Sequence, residues 1–116
     1  MKDKLGMERA ISHCAGWTWN ENDGEPSEEI MGTNWKEREG LPEPGSLKEA
    51  VVIRAGQLTD GECLGDSVSD GKQAYRVAEG DFGGSSVSRK DVAHLVFDLV
   101  TNKWGELGGK QVSVVY

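Results

Sequence analysis

The feature that most constrains this chain is a short run, Ala50-Val51-Val52-Ile53, with no polar residue to turn toward water. A strand with one wet face alternates, whereas a strand that is apolar throughout is covered on both faces, as in parallel sheets. A second, mostly apolar run, Val112-Ser113-Val114-Val115-Tyr116, closes the chain. Between them lies the clearest helix signal. Ser88 stands as an N-cap, Asp91 as its capping-box partner three residues on, and Val87 with Val92 can form a hydrophobic staple. Val92, Leu95, Val96, Leu99 and Val100 then recur at i, i+3 and i+4 to about Asn102, and Gly105, Gly108 and Gly109 are expected to stop the helix. The two strands are expected to lie parallel and side by side with this helix crossing between them, an α/β unit. Gln73–Ala78 reads as a further short strand, the stretch 56–71 as loop, and Gly80-Asp81-Phe82-Gly83-Gly84 as a turn.

Upstream, Lys2 to about Cys14 reads as a helix with Lys4 and Glu8 at i,i+4, an apolar line of Met7, Ile11 and Cys14, and Gly16 as the stop. From Trp17 to Leu47 no period is sustained. All three prolines fall here, with Gly24, Gly32, Gly40 and Gly45, so the stretch reads as a loop with one helical turn near Ser27–Met31, capped by Ser27. Roughly 30 irregular residues are unusual in a compact domain. Trp17, Trp19 and Trp35 argue against plain disorder, which is poor in aromatics.

Charge narrows the partners. The formal net charge is −7, and the segment from Asn20 to Glu49 alone has nine acids against three bases. Nucleic acids and anionic membranes would repel such a surface. No apolar run reaches the ~18 residues of a membrane span. Cys14 and Cys63 share no CxxC spacing, and buried free thiols in a reducing intracellular compartment are the expectation. Asp60, Asp66 and Asp70 lack EF-hand spacing, His13 and His94 have no neighbouring ligand at metal spacing, and the 80–84 glycines lack the Lys-Ser/Thr of a P-loop. No metal site is expected. The chain opens inside a helix, as a fragment or processed product would.

Three stretches carry a family resemblance. Ile53-Arg54-Ala55-Gly56-Gln57-Leu58-Thr59-Asp60 resembles the "I-R-[AP]-G-x-L-x-D" turn after the sixth strand of atypical short-chain dehydrogenase/reductases, the NmrA-like NAD(P)-binding Rossmann family. Val87-Ser88-Arg89-Lys90-Asp91-Val92-Ala93 resembles that family's "[IV]-[SA]-R-x-D-V-A", which opens the helix before the last strand. Lys4 with Glu8 resembles its "K-x-x-x-E" helix, whose lysine belongs to a Tyr-x-x-x-Lys pair.

The resemblance implies an α/β fold class: a partial Rossmann-type unit over residues 1–116, the C-terminal part of a doubly wound parallel sheet, with 17–49 as an acidic, Trp-bearing loop insertion. It implies a relation to NAD(P)-dependent oxidoreductases, Lys4 as the catalytic lysine, and Arg54, Ala55, Gly56, Gln57 and Leu58 at the nicotinamide end of an NAD(P) site. The chain departs from the family in two respects. The family has only a few residues where 17–49 stands, and the sequence contains neither the Gly-x-x-Gly-x-x-Gly turn nor the tyrosine of the pair. That turn supplies most of the cofactor affinity, so binding is expected to be weak or absent in this chain. Plainer readings stand beside these: Lys4 as a solvated lysine paired with Glu8, Arg54 as a structural arginine on a carboxylate such as Asp91, and Gly56 as a tight turn. The alternative function is a non-catalytic subunit or docking module of a larger assembly. A partner protein or second copy would then be gripped through Trp17, Trp19 and Trp35 as anchors.

Overall fold

A computed structural model describes residues 2–68, 73–80, 84 and 86–116, and the chain divides into two compact units, Met1–Ala50 and Val51–Tyr116. The expected turn at 80–84 lies mostly outside the described residues, as does Asp70.

The first unit begins with α1, Lys2–Ala15. Gly16 ends it at φ 73°, and the N–H groups of Gly16 and Trp17 bond the carbonyls of His13 and Ser12 at 3.1 and 2.9 Å. This is the Schellman pattern, which needs a residue free to adopt a left-handed backbone. The Cys14 carbonyl accepts from Gly45 and Leu47, which pins the far end of the Pro-rich stretch to the helix terminus.

The segment read as a loop contains three single helical turns: Glu21–Asp23, α2 at Glu28–Met31 and Trp35–Glu37. Ser27 stands at the N-cap of α2 as expected, although its side chain makes no capping bond. The buried face of α1 also differs from the expected line. Met7 is exposed, whereas Gly6, Arg9, Ser12 and Cys14 are buried. Gly6 sets this face, because a Cβ there would lie 2.8 Å from Ile30 Cγ2 and 3.0 Å from Met31 Sδ.

The second unit is mixed α/β. Strand β1, Val51–Ala55, pairs in parallel with β5, Lys110–Val115, with Ile53 opposite Val112 and Ala55 opposite Val114. The two apolar runs are therefore adjacent and parallel, as their sequences imply. β3, Arg76–Glu79, pairs with β5 antiparallel, so the sheet order is β1-β5-β3 and the sheet is mixed. The stretch read as loop after Gly56 also contains β2, Gln57–Thr59, in parallel with β4, Ser86–Ser88. Both are three-residue strands, too short to leave a periodic signal.

Helix α3, Arg89–Asp98, starts at Ser88, whose hydroxyl accepts from the Asp91 N–H at 3.0 Å. It continues past the expected stop through a π turn, Leu99–Lys103, into α4, Trp104–Leu107. Within this stretch Thr101 Oγ1 bonds the Phe97 carbonyl and Asn102 bonds Asp98, each at 2.8 Å. Gly105 is tolerated inside the helix, and the chain turns only at Gly108 and Gly109. The apolar stripe splits. Leu95 and Leu99 are buried and Val92 packs on a core of Val87, Leu95 and Val114, while Val96, Val100 and Phe97 are exposed. Three short strands offer a seat for one narrow line of side chains, which leaves the neighbouring line outside.

The opposite sheet face holds Val52, Ser113 and Val115, all buried. Ser113 Oγ donates to the Gly80 carbonyl at 2.6 Å, and Gly84 lies so close to Val115 that a Cβ would approach Cγ2 to 2.3 Å. Replacing Leu95, 1% exposed, with alanine should cost about 2–5 kcal/mol of stability. Val96→Ala, one residue on, should change it by no more than about 0.5 kcal/mol. Urea unfolding followed by circular dichroism compares the two, and equal losses would contradict this division of the helix.

Candidate functional site

The residues singled out at the end of β1 form one turn. Arg54 is half-buried in β1 and Ala55 is exposed at its carboxyl end. The Gly56 N–H donates to the Val114 carbonyl at 3.0 Å, which carries the ladder through the turn into β2. Gln57 and Leu58 are exposed. Arg54 Nε and Nη1 lie 3.0 and 3.1 Å from the Gln111 amide oxygen when that amide is turned toward them. Asp91, the carboxylate suggested for Arg54, serves the loop before α3, and Gln111 meets Arg54 across the sheet. Lys4 is exposed on the first turn of α1, in the other compact unit.

Asp91 is fully buried and accepts several hydrogen bonds. Its carboxylate accepts the N–H groups of Leu64 at 3.2 Å and Gly65 at 2.8 Å, the Tyr116 hydroxyl, and Ser88 Oγ at 3.2 Å. The capping box expected from sequence is modified here. The Ser88 N–H reaches Tyr116 Oη at 3.1 Å, and that hydroxyl in turn donates to Asp91, so the return bond is relayed through the C-terminal tyrosine. Ser88 Oγ can also donate to the Glu62 carbonyl, at 3.0 Å. Burial pushes the Asp91 carboxyl up, but the Tyr116 hydroxyl and the Gly65 and Leu64 amides outweigh it, and the net shift is below the usual value. Outside this hub, Arg89 pairs with Asp60 at 2.8 Å on the surface.

The loop that Asp91 holds contains the helical turn Leu64–Ser67 and brings Cys63 and Gly65 against α3. Cys63 is half-buried, not buried as expected, and its thiol lies 3.5 Å from Asp91 Oδ1; burial pushes the thiol up, away from thiolate chemistry at neutral pH. Gly65 packs on the His94 ring, where a Cβ would come to 2.7 Å from Cγ and Nδ1. From the other side Tyr75 Oη meets His94 Nδ1 at 2.7 Å. Burial, with the charges of Asp98 and Asp91, pushes the Tyr75 phenol up to about 12, so it remains a proton donor near neutrality. His94 also lines an open cleft of about 380 Å³ with Cys63, Asp66, Lys90, Ala93 and Phe97. Nothing local in the sequence pairs Tyr75 with His94, which lie 19 residues apart.

In the first unit the tryptophans surround a buried arginine. The Arg9 guanidinium lies 5.3 Å from the Trp19 ring and 5.6 Å from that of Trp35, and Arg9 Nε pairs with the Glu25 carboxylate at 3.1 and 3.2 Å. Trp19 Nε1 donates to the Gly24 carbonyl, and Trp35 meets His13 edge-on. Much of the aromatic surface of Trp19 and Trp35 is thus used within the unit, and Trp17 is half-buried. The described residues contain no group of three or more His, Cys, Asp or Glu able to hold a metal, and no helix among them is long and apolar enough to cross a membrane.

No protein-family model, curated protein or solved structure matches the chain.

Asp91→Asn should cost about 1–3 kcal/mol near neutral pH, since an amide cannot accept from every donor that surrounds the carboxylate. The folded carboxyl titrates below its usual value of 3.8. Its contribution is therefore complete above about pH 4 and is lost as pH falls through the depressed value. Urea midpoints at several pH values should show wild type and Asp91→Asn converging in acid; a gap independent of pH would contradict the charge-based account.

Proposed function

We propose that Val51–Tyr116 is the nicotinamide-side half of an NAD(P)-binding α/β fold, related to atypical short-chain dehydrogenase/reductases and not catalytic as this chain alone. The observation that carries this reading is the turn Ala55–Leu58 at the carboxyl end of parallel strand β1, with Gly56 fixed to Val114 and its neighbours exposed. Ligands of open α/β sheets bind outside the carboxyl ends of parallel strands, and a backbone turn there can contact a nicotinamide without a large side chain. Arg54 would serve as a brace for this turn, through Gln111.

With no glycine-rich pyrophosphate loop in the sequence, the contacts left to this chain are those of one end of the cofactor. The alternative role, a non-catalytic subunit or docking module, uses the same unit without a dinucleotide.

Titrating the isotopically labelled chain with NADPH should shift the amides of Ala55–Leu58, with a dissociation constant in the millimolar range, about −4 kcal/mol. Amides that stay unmoved at saturating cofactor, or a micromolar constant of about −8 kcal/mol, would overturn the half-site reading.

A further inference from the structure

The first unit holds a hollow of about 270 Å³ between α1 and the helical turns that follow it. Asp3, Gly6 and Met7 line it from one face of α1, at i, i+3 and i+4, and Ile30, Met31 and Trp35 line it from the other side. The walls are apolar, and Met7 and Ile30 keep much of their side chains exposed there. Arg38 stands at the same hollow. Its Nη2 donates to the Met31 carbonyl at 3.3 Å, in room that only glycine leaves at position 32, where a Cβ would lie 3.1 Å from that nitrogen. One arm of the guanidinium is thereby fixed, and the remaining donors of its fork are left over. No carboxylate pairs with Arg38 among the described residues, although nine acids lie between Asn20 and Glu49. The volume is near the lower end of the roughly 300–1,000 Å³ usual for ligand pockets, which suits one small molecule.

We propose that this hollow binds a free apolar α-amino acid, its carboxylate on Arg38, its ammonium on Asp3 and its side chain against Met7, Ile30 and Met31. A guanidinium fork takes a carboxylate through paired, charge-assisted bonds. A carboxylate has about four acceptor sites, so Asp3 can take an ammonium in addition to the bonds it already makes. The surrounding charge selects the zwitterion. A plain anion is repelled by a segment with nine acids against three bases, and a plain cation meets Arg38. A peptide terminus carries only one of the two charges and would leave Arg38 or Asp3 unmatched. The flexible thioethers of Met7 and Met31 adapt to side chains of different shape, so the site suits a class of apolar residues more than one member of it. The hollow lies wholly within Met1–Ala50 and uses neither the Ala55–Leu58 turn nor a dinucleotide, so the two readings fail separately.

The test uses the full chain with its methionine and isoleucine methyl groups isotopically labelled, titrated with L-leucine, N-acetyl-L-leucine and L-leucinamide. Leucine should shift the methyl signals of Met7, Ile30 and Met31 saturably. Each blocked compound lacks one charge and should bind about tenfold more weakly. Arg38→Gln and Asp3→Asn, both at exposed positions and checked for folding by circular dichroism, should weaken leucine by a similar factor. Arg38→Gln should also bind leucine and leucinamide alike, which a merely structural arginine would not bring about. The proposal is overturned if leucine leaves these methyl signals unmoved, or if either blocked compound binds as tightly as leucine. It is equally overturned if methyl contacts in the free chain show side chains from elsewhere in the sequence already filling the hollow.

Discussion

The buried carboxylate of Asp91 is the point on which the second unit is organised. A charged group with no exposed surface is tolerated only when its lone pairs are filled, and here hydroxyls from two strand ends and two backbone amides fill them. Those donors come from three separate parts of the chain, the 63–67 loop, the end of β4 and the C-terminal tyrosine, and meet a carboxylate in the first turn of α3. One residue thereby fixes where α3 starts, where the loop after β2 lies and where β5 ends. The Ala55–Leu58 turn takes its position from the same arrangement, because β2 leads straight into the loop that Asp91 holds.

The first unit is organised on a different principle. Arg9 is buried by cation–π contact with Trp19 and Trp35 and by an ion pair with Glu25. A segment dominated by acids thus folds by drawing one base from α1 into its centre, while Glu25 keeps most of its surface in water. Disorder is the default for acidic, Pro-rich sequence, and the tryptophans provide the apolar area that offsets the ordering entropy.

Some of this could be read from residue order alone, because it depends on neighbours in sequence. Gly16 ends α1, Ser88 and Asp91 open α3, and the two Val-rich runs are strands: each follows from local sterics, local hydrogen bonding or continuous apolarity. Where sequence reading failed, the deciding groups were distant. Met7 was expected inside and Arg9 was not considered, because the face of α1 is chosen by Ile30, Trp19 and Trp35. Asp91 was offered as one carboxylate that Arg54 could meet, yet amides of a loop some 26 residues away occupy it, and Gln111 faces Arg54 across the sheet.

The sequence by itself determined the class of element at each strongly patterned stretch and the parallel character of the strands that need cover on both faces. Tertiary structure decided which half of the α3 stripe is buried, that Tyr116 relays the capping bond, that Tyr75 clamps His94, and that β3 pairs antiparallel with β5. The physical reason is range. Capping, chirality and periodicity act within a turn or two of chain, whereas the filling of a buried carboxylate or the choice of a helix face is set by whichever distant groups the fold carries there.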